Sequence, residues 1–237
     1  ILGRLVLNIG VAPRWAELAF RNVDGNDRAV VARRFDVGEE MVDASDYCPE
    51  MDDVAQAIDE ASLWYAGQIC VQALDDARVA LARLDMMDVP PYEVDWESPY
   101  GWIRIRGGGD DTVLGDDALL IVDLGGNDRH WGAVASSANH RSIVLLLDLG
   151  GNDSYASDVP GQGAGLCGVG ILIDAAGDES YVADRYAQGV GQFGLGLCAD
   201  LGGDDEYRVG YSGQGCGYFG VGLLLDAAGD DEYSLLA

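Results

Sequence analysis

The chain has 237 residues, a formal net charge of −27 and 14 basic residues, all of them arginine. Nucleic acid and anionic membrane surfaces are excluded as partners, because each needs a basic patch, and no apolar run reaches the roughly 18 residues of a membrane span. An acidic balance of this size fits cation binding, or a solvated surface in a high-salt or GC-rich organism.

Hydrophobic residues make up 49% of the chain, which is enough for a core. The five cysteines, Cys48, Cys70, Cys167, Cys198 and Cys216, are odd in number and form no C-x-x-C pair. Neither a disulfide framework nor a zinc site is expected from them; buried free thiols are. The chain begins at Ile1 and stops just after a repeat, so a fragment is expected.

Residues 1–99 are expected to be a helical segment followed by a linker. Pro13 can open a short helix through WAELAF, since proline suits the first helical position. Asn26 can cap another helix through Phe35. Pro49, followed by Glu50, Asp52 and Asp53, places negative charge in a first turn. Met51, Val54, Ile58, Ala61, Tyr65 and Ile69 recur at steps of three and four, which predicts one apolar stripe packed on the rest of the chain. Gly67 is the expected break. Residues 85–99 carry three of the six prolines and read as a linker or first wrap.

From Tyr100 the pattern changes. Blocks such as LGLCADLGGDDEY recur, led by Asp123, Asp148, Asp174, Asp200 and Asp226 at steps of 25, 26, 26 and 26 residues. A fixed period of this size marks stacked structural units. Before each aspartate the residues at −1, −3 and −5 are apolar, as in a strand with one buried face. The residue at −2 is also apolar (Ile121, Leu146, Leu172, Cys198, Leu224), so the strand is expected to be covered on both sides. A glycine follows three after each aspartate and an aromatic seven after it: His130, then Tyr155, Tyr181, Tyr207 and Tyr233. Arg106 stands where a leading aspartate belongs, which predicts a degenerate opening coil. Glycine at this density would cost about 1 kcal/mol each in a helix. A propeller blade needs about 40 or more residues. The fold expected over residues 100–237 is therefore mainly β: a parallel β-solenoid of five to six coils.

Residues 100–237, with LIVDLGGNDRH, GLGLCADLGGDDEY and the intervening QGxGxxG, resemble a group of uncharacterised bacterial repeat proteins. That resemblance implies the fold and no activity. Gly151-Asn152-Asp153-Ser154-Tyr155 and its counterparts are loosely similar to the calcium-binding β-roll repeats of secreted toxins. The period of 26 in place of nine is a large departure from them.

Stacking coils about 4.8 Å apart turns the acids into columns. One is Asp123, Asp148, Asp174, Asp200 and Asp226. A second, five residues on, is Asp128, Asp153, Glu179, Asp205 and Asp231. Between them run Asn127, Asn152, Asp178, Asp204 and Asp230. Two bare carboxylates at that spacing repel by roughly 1 kcal/mol in water and about 3–4 kcal/mol at an effective dielectric of 20. Calcium can offset this, because it takes six to eight oxygen ligands; turn N–H groups are the alternative. The candidate ligands are Asp123, Asp128, Asp148, Asp153, Asp174, Asp178, Asp200, Asp204, Asp205, Asp226, Asp230 and Asp231. His130, in the aromatic column, is expected to stack.

The function expected is a non-enzymatic scaffold or surface-recognition module, stabilised by calcium, with a protein or carbohydrate ligand. Calcium would favour an extracytoplasmic location. The alternative is a carbohydrate-active β-helix enzyme, since paired carboxylates serve glycan cleavage. The last coil ends in Leu235 and Leu236 without a polar cap, so it is expected to continue or to self-associate.

Overall fold

The structure, a computed structural model, describes residues 1–27, 31, 49–84, 89–115, 117–137 and 141–236. Each period of about 26 residues makes one turn of a parallel β-solenoid. The leading-aspartate strands build one long sheet. In chain order these are β2 (Gly101–Arg106), β4 (Ala118–Asp123), β6 (Ile143–Leu147), β9 (Val169–Asp174), β12 (Leu195–Asp200) and β15 (Val221–Asp226). The strands after the acidic turn build a second sheet: β3 (Thr112–Leu114), β5 (Arg129–Trp131), β7 (Ser154–Ser157), β10 (Ser180–Arg185), β13 (Glu206–Tyr211) and β16 (Glu232–Leu235). The glycine-rich stretches add a third, short sheet of β8 (Gly165–Leu166), β11 (Gly191–Gln192) and β14 (Gly217–Tyr218).

Register follows the sequence period from β4 onward, and the pairing of β2 with β4 shifts by one residue between Trp102 and Ile103. Asp174 pairs with Asp200 and Asp200 with Asp226, while Tyr181 pairs with both Tyr155 and Tyr207. Arg106 pairs with Asp123, so the degenerate opening coil is real and an arginine heads the aspartate column.

Alternation sets the two faces of the long sheet. Leu120, Val122, Leu145, Leu147, Ile171 and Ile173 point outward into one core shared with the helices. Ile121, Leu146, Leu172 and Cys198 point inward and meet Tyr155, Tyr181 and Tyr207 from the second sheet. The strand is thus covered on both sides, as its continuous apolar run implies. Gly170 lies on the inward face, and a Cβ there would come 2.2 Å from the Ala164 carbonyl oxygen. The glycine-rich stretch therefore rests directly on the long sheet, backbone against backbone.

The helical layer is α1 (Leu2–Ile9), α2 (Ala12–Ala19), α3 (Pro49–Ala57) and α4 (Glu60–Leu81). It differs from the sequence reading in three places. The break falls at Ile58–Asp59 and not at Gly67, because the Asp59 side chain caps α4 by accepting from the Ser62 N–H at 3.2 Å. The cap resets the helical phase. Ala61 and Tyr65 are consequently exposed, and Leu63, Ala66, Cys70, Leu74 and Ala77 form the buried face. Gly67 is instead a contact point: a Cβ there would come 2.6 Å from Leu195 Cδ1 of β12. The turn before residue 28 is capped by Asp24, which accepts from the N–H groups of Asn26 and Asp27. The remainder of the helix expected through Phe35 lies, apart from Val31, outside the described residues.

The proline-rich stretch contributes β1 (Glu93–Ser98), which pairs antiparallel with β2 and covers the first edge of the long sheet. Arg106 reaches back to it, donating to Asp95 at 2.7 Å. Cys70 and Cys198 are buried and Cys216 is exposed, all as free thiols; Cys48 lies outside the described residues. No helix among the described residues is long and apolar enough to cross a membrane. At the far end, α4 packs on β6, β9 and β12. On β15, Leu223 is 50% exposed and Leu225 44%, and Leu235 of β16 is 72% exposed.

Candidate metal-binding columns

The acidic turn joins the long sheet to the second sheet at one edge of each coil. The turn is closed by a glycine three after the aspartate. At Gly151 φ is +147°, and a Cβ would stand 1.5 Å from the Gly126 carbonyl oxygen of the preceding coil. No side chain fits there, so this glycine sets how closely the turns stack.

The leading aspartates share the parity of Leu172 and Leu146, two residues earlier, so they point inward with them. Asp123, Asp148, Asp174 and Asp200 are each fully buried. One oxygen of each caps its own turn, accepting from the N–H two residues on: Gly125 at 3.3 Å, Gly150 at 3.1 Å, Ala176 at 3.2 Å and Gly202 at 3.1 Å. The other oxygen faces the aromatic column. Tyr155 Oη donates to Asp174 Oδ2 at 2.6 Å and Tyr181 Oη to Asp200 Oδ2 at 2.6 Å, each reaching the aspartate of the next coil. The rings stack at 4.7–4.8 Å with interplanar angles of 3–10° from His130 to Tyr233, which confirms the stacked position of His130.

The second acidic column turns inward from the opposite side of the turn. Asp128 Oδ1 accepts from the Asp111 N–H at 2.5 Å, Asp153 from Asp128 at 2.6 Å, Asp205 from Glu179 at 2.7 Å and Asp231 from Asp205 at 3.0 Å. Each carboxylate thus serves the coil before it and has one oxygen left. Asp128 Oδ2, Asp153 Oδ2, Asp205 Oδ2 and both Glu179 oxygens are buried without a hydrogen-bond partner. The third column, Asp178, Asp204 and Asp230 with Asn127 and Asn152, is exposed. Its oxygens accept from the following coil, for example from the Asp204 N–H to Asp178 Oδ1 at 3.0 Å. Turn N–H groups are therefore satisfied by two ladders running in opposite directions, and the surplus oxygens all face inward.

Those oxygens form four clusters, each with one atom per residue within 4.8 Å of the others. They are Asp123, Asp128, His130 and Asp148; Asp148, Asp153 and Asp174; Asp174, Glu179 and Asp200; and Asp205, Asp226 and Asp231. Nine of the twelve expected ligands are brought together there; Asp178, Asp204 and Asp230 are not. Glu179 and His130 join the clusters although neither is a ligand in the sequence reading. Glu179 stands in the acidic column and was legible by position. His130 carried no signal beyond its place in the tyrosine column.

Burial drives the electrostatics. Loss of solvent, then the neighbouring Asp148 carboxylate, raises Asp123 to about 9 and Asp153 to about 7. Loss of solvent raises Asp128 to about 6, Asp205 to about 7 and Glu179 to about 11. It holds Asp174 well above the carboxylate range. A row of carboxyls poised this way either carries protons or carries a cation. Buried acidic clusters able to hold a metal ion are thus a property of the fold. No family model, curated protein or solved structure matches the chain.

Proposed function

We propose that the protein is a non-enzymatic β-solenoid scaffold, of the kind its bacterial-type repeats suggest, whose coils are tied together by calcium between successive acidic turns. The carrying observation is the run of buried carboxylate oxygens without hydrogen-bond partners at Asp153, Glu179 and Asp205. Leaving such groups bare costs several kcal/mol each. An all-oxygen donor set of dense negative charge suits a hard cation. The scaffold reading is favoured over glycan cleavage by where the acids stand. A glycosidase needs its two carboxyls on an open cleft flanking the sugar, whereas the inward acids of the middle coils are at most 3% exposed.

The test is a thermal melt of the 237-residue chain in calcium and in chelator. One site filled at a hundred times its dissociation constant adds about 2.7 kcal/mol. For a chain of this size that is a rise of about 5–10 °C in Tm. Equal melting temperatures in the two buffers would overturn the calcium reading.

A further inference from the structure

One cluster differs from the rest in its donors. Asp123, Asp128, His130 and Asp148 each offer one atom within 4.8 Å of the others. The His130 side chain is 0% exposed, and neither ring nitrogen has a hydrogen-bond partner among the described residues. Nε2 stands 3.3 Å from Asp148 Oδ2. Asp123 Oδ2 and Asp128 Oδ2 are also buried without partners. Two unpartnered acceptors around an unpartnered imidazole, with Asp148 Oδ2 held only by a long 3.4 Å hydrogen bond from Tyr155 Oη, do not make a satisfied core.

The tyrosine coils show what is different. At Tyr155 and Tyr181 the phenol O–H crosses to the next leading aspartate and donates to it at 2.6 Å, and Tyr233 donates to Asp226 of its own coil. A phenol fills its site with a proton donor. An imidazole is shorter and can present a lone pair instead. Stacking on Tyr155 at 4.7 Å and 10° fixes the orientation of the His130 ring. On its other side His130 pairs with Val113, where the aromatic column ends, and the aspartate column ends at Arg106, whose guanidinium is engaged by Asp95.

We propose that Asp123, Asp128, His130 and Asp148 form a site for a first-row transition-metal dication of the zinc and cobalt(II) class. Imidazole is a ligand for zinc, copper, iron and nickel and not for calcium, which takes oxygen. Tetrahedral bonds of about 2.0–2.1 Å have ligand–ligand edges of about 3.3–3.4 Å, and the His130–Asp148 separation of 3.3 Å matches such an edge. The site is independent of what the later coils hold.

Cobalt(II) is the probe, titrated into the 237-residue chain in saturating calcium. Visible d–d absorption should appear, saturate at a single equivalent and vanish on adding zinc. His130→Tyr installs the residue that the column uses elsewhere, so the coil should fold; the absorption should be lost while the calcium-dependent melting shift is kept. His140→Ala, altering the only other histidine, should leave the absorption unchanged. Asp128→Asn, which keeps the backbone-capping oxygen, should weaken cobalt binding at least about tenfold. A wild type without the absorption, or a His130→Tyr protein that retains it, would overturn the site. A missing calcium shift in wild type with the cobalt band intact would instead overturn only the calcium reading.

Discussion

Asp153→Asn should melt above the wild type in chelator and below it in calcium. Asp153 Oδ1 accepts from the Asp128 N–H at 2.6 Å, and an asparagine oxygen keeps that bond. Asp153 Oδ2 is buried, has no partner and belongs to the cluster with Asp148 and Asp174. Without metal, an amide there removes a buried charge and supplies two N–H donors to its neighbours. The expected gain is about 1–2 kcal/mol, or about 2–8 °C for a chain of this size. With calcium the same change deletes a charged ligand, and the stabilisation from that site, about 2–3 kcal/mol, falls away. Asp178→Asn is the control. Its oxygen accepts from the Asp204 N–H at the surface, outside the clusters, and asparagine keeps that bond too. It should stay within about 0.5 kcal/mol of wild type in both buffers. Scanning calorimetry of the three proteins gives the answer. An Asp153→Asn shift of one sign in both conditions would take calcium out of this cluster.

The coil was legible because its period was. Aspartate, glycine and tyrosine fell at fixed places, and each column became a ladder in register. The side on which the acids lie was legible in principle. Leu172 and Asp174 have the same parity in one strand, so an inward leucine implies an inward aspartate. The chemical type argues the other way, since a bare carboxylate is costly to bury. The same choice separates Glu179, inward and clustered, from Asp178, one residue earlier and exposed. The helical layer was harder to read. Its stripe runs unbroken through Ile58 and Ala61, and only the Asp59–Ser62 cap, a hydrogen bond between side chain and backbone, shows that the phase is reset. β1 was hidden by its prolines, Pro90 and Pro91 before the strand and Pro99 after it, and by its place on the sheet edge, where little side-chain burial marks it.

In chelator, stability should fall as pH rises from about 5 to 8, contrary to the usual behaviour of carboxylates. An ordinary aspartate or glutamate ionises near 4. In the folded chain burial holds Asp128 at about 6, Asp153 and Asp205 at about 7, Asp123 at about 9 and Glu179 at about 11. Between the unfolded and folded values the folded state binds more protons than the unfolded one. Each proton of difference then lowers stability by about 1.4 kcal/mol per pH unit. The stability that these groups contribute is full below about pH 4. It is lost as pH rises, through 6–7 for Asp128, Asp153 and Asp205 and through 9 for Asp123. Calcium inverts the dependence. Its ligands among these groups, Asp153, Glu179 and Asp205, must be ionised, so binding releases their protons and strengthens as pH rises. The gap in Tm between calcium and chelator should therefore widen steadily from pH 5 to pH 8. A chelated protein whose Tm is flat or rises over that range would mean that these carboxyls are already ionised and stabilised by something other than protons. A gap that stays constant would mean that calcium binds away from them.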